Sequence, residues 1–332
     1  MKAFQPSLGK TGTIILVALA FALPLALTRA PFFAFVFGVT LIHVLWTAGM
    51  NLLYGYAGLM PLMFAGIAGI GAYATVDLMT EAGWSFWVAM PLSSVMAAAV
   101  GVVLGLPALR LRGFYFTLCS LVIQTVLTLA FISFPRFTNG DTGISQIPPP
   151  SLPLLGPEKV GGLGFNLVLA GFAIAGVLGV ARLIDSPFGR RLIATREDDL
   201  LAETLGINVV RAKVITLFVG SLYAAVGGAL YASYLGFISP RSFDVLSSLN
   251  IWLMVAFGGR GTILGPIIGA AILVPIPFIL QDYYMLKDIV YGALIIVVIM
   301  IMPSGVLGEL SKLLGQVKKS RQKLLEKGEA RT

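Results

Sequence analysis

The feature that most limits how this chain can fold is a succession of apolar runs, each about as long as a bilayer is thick. Residues 31–54 and 84–108 contain no Asp, Glu, Lys or Arg at all. Crossing hydrocarbon as a helix takes roughly 20 such residues. Runs near 11–28, 31–54, 58–79, 84–108, 114–134, 163–184, 213–235, 246–258, 263–281 and 288–303 meet that length or approach it. They are apolar on every face and do not alternate, so barrel strands are excluded and helices are expected. The expected fold is all-α, a polytopic membrane protein of about ten transmembrane helices, or eight if the short eighth and broken third runs do not span. Charged residues make up only 11 % of the chain and hydrophobic ones 58 %. Soluble domains carry roughly 25 % charge, which removes that class.

Against this background the stretch Asp185 to Lys213 is an island of charge. Arg190, Arg191, Arg196, Arg211 and Lys213 alternate there with Asp185, Glu197, Asp198, Asp199 and Glu203. Such a segment has to project into water on one side of the bilayer. Within it, Arg196 to Asn208 reads as one short amphipathic helix with Leu200, Leu201 and Leu205 as an apolar patch and Gly206 as its C′ terminator. Charge runs are usually solvated connectors. Leucines presented on a charged helix suit docking into a partner's groove.

Sidedness follows from the basic residues. Lys2, Lys10, Arg110, Arg112, the island, Arg260 and the tail fall on one side if ten spans alternate, which places both termini in the cytoplasm. The N-terminus is read as a retained first helix and not as a cleaved signal. The transmembrane domain then covers 1–310, with the loop 185–213 inside and residues 135–162 outside, stiffened by Pro148, Pro149, Pro150 and Pro153. Residues 311–332 form a basic tail whose Lys312, Lys318, Lys319, Arg321, Lys323 and Lys327 supply much of the net charge of +8. That charge points to anionic lipid and not to nucleic acid.

Little in the chain suits an enzyme. His43 is the single histidine and Cys119 the single cysteine, so no metal cluster or disulfide is expected. Gly9-Lys10-Thr11 lacks the glycine and the strand of a phosphate-binding loop, so no ATP site is expected. No expected span carries a charge at its centre, where an ion-coupled carrier would keep one. The driving energy is therefore expected from outside the chain, with an ion-coupled secondary transporter as the alternative. His43 is expected to bond a neighbouring helix. Asn51, Gln124 and Asn250 either bridge helices or line a path, with bridging favoured. Glycine and proline between 55 and 71, with Gly58 and Pro61 among them, favour a broken third helix, which is tolerated only against protein or a water-filled cavity.

Four motifs in order give a resemblance over residues 35–310. SPFGRRLIATREDDLLAETLGINVVRAK in the island, TNGDTGISQIP at 138–148, GGRGTILGPIIG at 258–269 and MPSGVLG at 302–308 are together similar to the M-type permease of branched-chain amino-acid ABC importers. The resemblance implies an inverted-repeat permease fold in a bacterial or archaeal plasma membrane. It also implies a second, H-type permease subunit, two ATP-binding subunits that hold the only nucleotide, and a periplasmic or lipid-anchored solute-binding protein. It places Arg196, Asp198, Asp199, Ala202, Glu203 and Gly206 in the segment that couples to the ATPases, beside Leu201 and Leu205. Family members often read GYAGxxSLGHAAFxGIGAY across the broken helix, where this chain has GYAGLMPLMFAGIAGIGAY. Pro61, Met63 and Phe64 thus replace serine, glycine and histidine, and an apolar constriction is expected on the path. The implied cargo widens from leucine, isoleucine and valine to a more hydrophobic or aromatic solute, urea or a small amide.

Overall fold

The computed structural model describes residues 30–111, 113–152, 156–157, 162–281, 292–293 and 305–308. The expected spans at 11–28 and 288–303 and the basic tail lie outside the described residues, apart from Gly292 and Ala293. Within the described residues the expected spans are mostly helical. Helix α1 (Pro31–Asn51) starts with proline at its first position, where no amide hydrogen is needed, and runs on through a π-turn, Leu52–Tyr56. Then follow α2 (Phe64–Thr80), α3 (Phe86–Ala108) and α4 (Phe114–Ser133). The second half holds α5 (Leu163–Asp185), α6 (Pro187–Glu197), α7 (Asp199–Thr204), α8 (Val209–Leu235), α9 (Val245–Gly258) and α10 (Gly265–Leu273), with one further turn at Pro275–Ile279. Five of these segments are long and apolar enough to cross a membrane unaided: Pro31–Tyr56, α3, α4, α5 and α8.

Helix α8 stands at the centre, packed on α1, α2 and α3. Small residues set this approach. A methyl group on Gly228 would sit 2.0 Å from the Ala68 carbonyl oxygen, and one on Gly71 would sit 2.7 Å from the Ala225 Cα. Such contacts let dispersion between backbones hold helices together where lipid supplies no hydrophobic drive. Trp46 closes the same region from α1, its indole Nε1 donating to the Ala224 carbonyl at 3.0 Å.

Three expectations need correction. The third run is broken only at 57–63: Gly66, Gly69 and Gly71 lie inside an unbroken α2, where they accommodate Leu127, Phe131 and Ala225. Residues 135–162 do not form one stiff extended loop. Pro135–Thr138 is a helical turn and Gly140–Thr142 a 3-10 turn. Ile144–Ser145 pairs antiparallel with Phe237–Ile238, and Ser151–Leu152 with Gly156–Pro157. Asn139, at φ 59, turns the chain back, and its amide nitrogen donates to the Gly143 carbonyl at 2.9 Å. Finally, among the described residues His43 bonds no neighbouring helix; its Nδ1 lies 2.8 Å from the Val39 carbonyl of its own helix.

Candidate functional site

Arg196 to Asn208 is not the single helix expected: α6 ends at Glu197 and α7 spans Asp199–Thr204. Ser186 caps α6 by accepting from the Gly189 amide. The chain then turns extended at Asp198 (φ −157, ψ 115), and the Asp198 carboxylate accepts from the Leu200 and Leu201 amides at 2.9 and 3.2 Å, starting α7. An aspartate satisfies first-turn donors better as a cap than as an interior residue, which is why the helix breaks there. Gly206, at φ +80, closes α7: its amide donates to the Glu203 carbonyl and that of Ile207 to the Ala202 carbonyl, both at 3.0 Å.

Asp199 and its partner Lys213 are not wet, contrary to the simple amphipathic reading, whereas Arg196 stays exposed. Asp199 receives Lys213 of α8 at 2.6 Å, and both are largely covered. Arg196 ends α6 by donating from Nη1 to the Gly55 carbonyl in the π-turn at 2.5 Å. Ala202 is buried, whereas Glu203 faces solvent. Leu200, Leu201 and Leu205 stand 57, 59 and 71 % exposed on a helix otherwise fixed to the bundle. A crevice of about 1090 Å³ runs beside α7 and brings Arg110 and Leu106 from the end of α3 next to Asp199, Glu203 and Lys213. Arg260 lies over the Tyr54 ring, 5.9 Å from its centroid, one residue from the carbonyl that Arg196 holds.

The residues singled out as path-lining separate into distinct roles. Asn51 bridges: its amide nitrogen donates to the Thr262 carbonyl at 2.8 Å, and its oxygen accepts from the Gly261 amide at 2.9 Å. Gln124 bridges too, accepting from the Gly66 amide and donating to the Phe243 carbonyl, both at 2.7 Å. Met63 and Phe64 are buried in the packed core with Pro61 beside them, and Gly58 is exposed at φ +71 facing Arg196. Asn250 lines a cavity of about 370 Å³ with His43, Trp46, Tyr231 and Ser247.

Sequence reasoning missed how α2 is started. No side chain at its own N-cap, Met63, bonds its first turn. Instead Ser120 accepts from the Leu62 amide, Ser248 from that of Ala65 and Gln124 from that of Gly66, so three donors around the start of α2 are satisfied from α4 and α9. Serines and a glutamine inside apolar helices were the available signal. Their targets were not.

The family described as branched-chain amino acid transport system / permease component matches residues 32–299. The chain belongs to that family. Among its relatives is the high-affinity branched-chain amino acid transport system permease protein LivM of Escherichia coli (strain K12), 29 % identical over 89 % of this chain and 74 % of the relative. The LivH permease protein of the same system and organism is 36 % identical over 37 % of this chain and 40 % of its own. The guanosine ABC transporter permease protein NupQ of Bacillus subtilis (strain 168) is 26 % identical over 63 % of this chain and 71 % of its own. No solved structure matches significantly. This member of the permease family is a multi-pass helical membrane protein, and its charged segment, braced to α1 and α8, gathers at one end of the bundle.

Proposed function

We propose that the protein is the M-type membrane subunit of an ATP-driven importer that moves branched-chain amino acids or a related small organic solute into the cell. The single observation that carries this is α7: a capped helix presenting Leu200, Leu201 and Leu205 to solvent while its opposite side is fixed to the bundle through Asp199 and Lys213. A solvated connector would need neither the leucines nor the anchor. Exposed leucines with a polar rim suit a groove on an ATPase subunit.

The contacts behind α7 give force a route inward. Displacing α6 and α7 pulls on Arg196, which holds the Gly55 carbonyl; four residues earlier, Asn51 ties α1 to the loop at Gly261 and Thr262. In this reading Asn51 and Gln124 are closures that the cycle opens. Pro61, Met63 and Phe64 form an apolar neck, Gly58 its hinge, and Asn250 faces a cavity the solute reaches. The chain itself has no ATPase site; two partner subunits supply it, an H-type permease completes the membrane part and a solute-binding protein selects the cargo. The basic end with Arg110, Arg196, Lys213 and Arg260 faces the cytoplasm, as do both termini, in the plasma membrane of a prokaryote.

Uptake of leucine into proteoliposomes that hold the permease pair, ATPases and binding protein tests the reading. Transport should continue on ATP after ion gradients are collapsed with ionophores. Transport that follows the gradients and ignores ATP would identify an ion-coupled carrier instead.

A further inference from the structure

The cavity of about 370 Å³ that His43 and Asn250 line sits at the middle of the membrane span. His43 stands midway along Pro31–Tyr56, with about 18–20 Å of helix on either side. Helix α1 turns Val39, His43 and Trp46 to the cavity at a spacing of four and three, and α9 turns Ser247, Asn250 and Met254 to it at three and four. Tyr231 of α8 and Phe278 beyond α10 complete an aromatic wall. The Trp46 and Tyr231 rings lie 5.3 Å apart, and His43 meets Trp46 edge-on at 5.1 Å.

Two polar side chains on this wall have their partners inside the protein. Trp46 Nε1 donates to the Ala224 carbonyl at 3.0 Å. The Ser247 hydroxyl donates to Asp244 at 3.0 Å, and that carboxylate also accepts from the Ser247 amide to start α9. Two others are unspent. His43 Nδ1 lies 2.8 Å from the Val39 carbonyl oxygen, which can only accept, so the neutral ring carries its hydrogen on Nδ1 and Nε2 is an acceptor. Among the described residues neither this Nε2 nor the Asn250 carboxamide has a hydrogen-bond partner. Nor are they sealed from solvent: the unpaired and sealed side-chain atoms belong to Tyr73, Ser94, Ser221, Ser233 and Trp252. Both therefore stay open to the cavity that their residues line. No Asp, Glu, Lys or Arg stands among its described lining residues.

Polar groups left unpaired at this depth are costly and mark a site that a visitor completes. His43 offers one acceptor, and Asn250 offers a donor and an acceptor side by side. An uncharged amide is the complement of that set, with N–H for Nε2 or Oδ1 and C=O for the Asn250 amide nitrogen. A zwitterion brings two charges that no described lining residue answers, and burying an unanswered charge costs more than a few hydrogen bonds return. We infer that this cavity is a transit site that prefers an uncharged, amide-bearing solute to a zwitterion of the same skeleton, with His43 and Asn250 as its specificity-determining contacts and the aromatic wall against the solute's apolar remainder. The inference rests on the importer reading and ranks the cargoes left open there. The amide group can belong to an open chain or to a ring, and the test separates the two.

That test uses the full permease pair in nanodiscs, with a cysteine-free H-type partner. Cys119→Ser and Ser242→Cys place the single thiol of this chain on the cavity wall. Its modification by methyl methanethiosulfonate, which is uncharged, is timed with isocaproamide, uracil or leucine present. Isocaproamide keeps the branched chain of leucine without its charges, and uracil offers the amide in a ring. At least one of the two amides is expected to half-protect at a concentration at least about tenfold below that of leucine. Which of them does so decides between chain and ring. His43→Phe and Asn250→Leu should each raise that concentration about threefold to tenfold, the worth of one neutral hydrogen bond, and leave that of leucine within about twofold. Protection by leucine as good as by either amide, protection by none, a thiol that never reacts, indifference to both substitutions, or a loss shared equally by leucine overturns the inference. If His43→Phe alters the unprotected rate, His43→Gln, which keeps an acceptor, is read in its place and must keep the preference. ATP takes no part, so failure here leaves the importer reading standing, and uptake that follows ion gradients would sink that reading whatever the thiol does.

Discussion

Replacing Leu201 and Leu205 together by aspartate is the sharpest perturbation of the coupling segment. The two side chains are 59 and 71 % exposed, so the fold gains little from them. Fully burying a leucine is worth about 1.5–3 kcal/mol. Covering what these two leave open therefore contributes about 2–4 kcal/mol to a docked ATPase, and the new carboxylates add a desolvation cost. The affinity of the cognate ATPase subunits for the permease pair in nanodiscs should fall at least about thirtyfold. Surface substitutions of this kind usually alter stability by no more than about 0.5 kcal/mol, so the unfolding temperature in detergent should hardly move. Binding is read by surface plasmon resonance and transport by ATP-driven uptake in proteoliposomes. An affinity loss under about threefold with normal uptake would refute the docking role, since exposed leucines cannot be replaced by charge at a closed interface without a penalty of this order. A large loss of stability would refute the premise that the leucines are free of the fold.

Arg196→Gln should leave ATPase docking intact and reduce solute moved per ATP about fivefold, the equivalent of about 1 kcal/mol for a charged hydrogen bond made by an exposed guanidinium; unchanged stoichiometry removes the Arg196–Gly55 contact from the coupling route. Lys213→Met leaves Asp199 unpaired where the pair is largely covered, and should cost about 1–3 kcal/mol in thermal unfolding, below the figure for a fully buried pair. Adding Asp199→Asn should recover much of that loss, and no recovery would mean that the lysine acts through packing. Gln124→Leu strands the Gly66 amide and the Phe243 carbonyl, so unfolding in detergent should occur about 1–3 kcal/mol earlier; a neutral result would show that the start of α2 does not need a partner from α4.

The sequence by itself determined the class of fold and the place of the charge. Hydrocarbon acts on each residue singly, and a run such as 84–108 can satisfy its backbone there only as a helix. The same rule obliges 185–213 to leave the bilayer, and Gly206 to end a helix is legible from glycine's freedom at positive φ. What the sequence left open concerned partners. Asp199 and Lys213 are both charges in a wet loop on paper, and Asp198 looks like one more helical residue. Only the fold shows that Asp198 restarts the helix and that Asp199 turns inward to α8. Likewise Asn51, Ser120, Gln124 and Ser248 are visibly polar in apolar runs, but their partners lie 58 to 211 residues away in sequence. Tyr73 and Asp77 share a stripe that helical spacing alone predicts; that the stripe faces Phe131 depends on how α2 and α4 cross. Burial preference is a property of one residue, whereas a hydrogen bond or groove belongs to two helices, and their relative placement is set by close packing across the whole bundle.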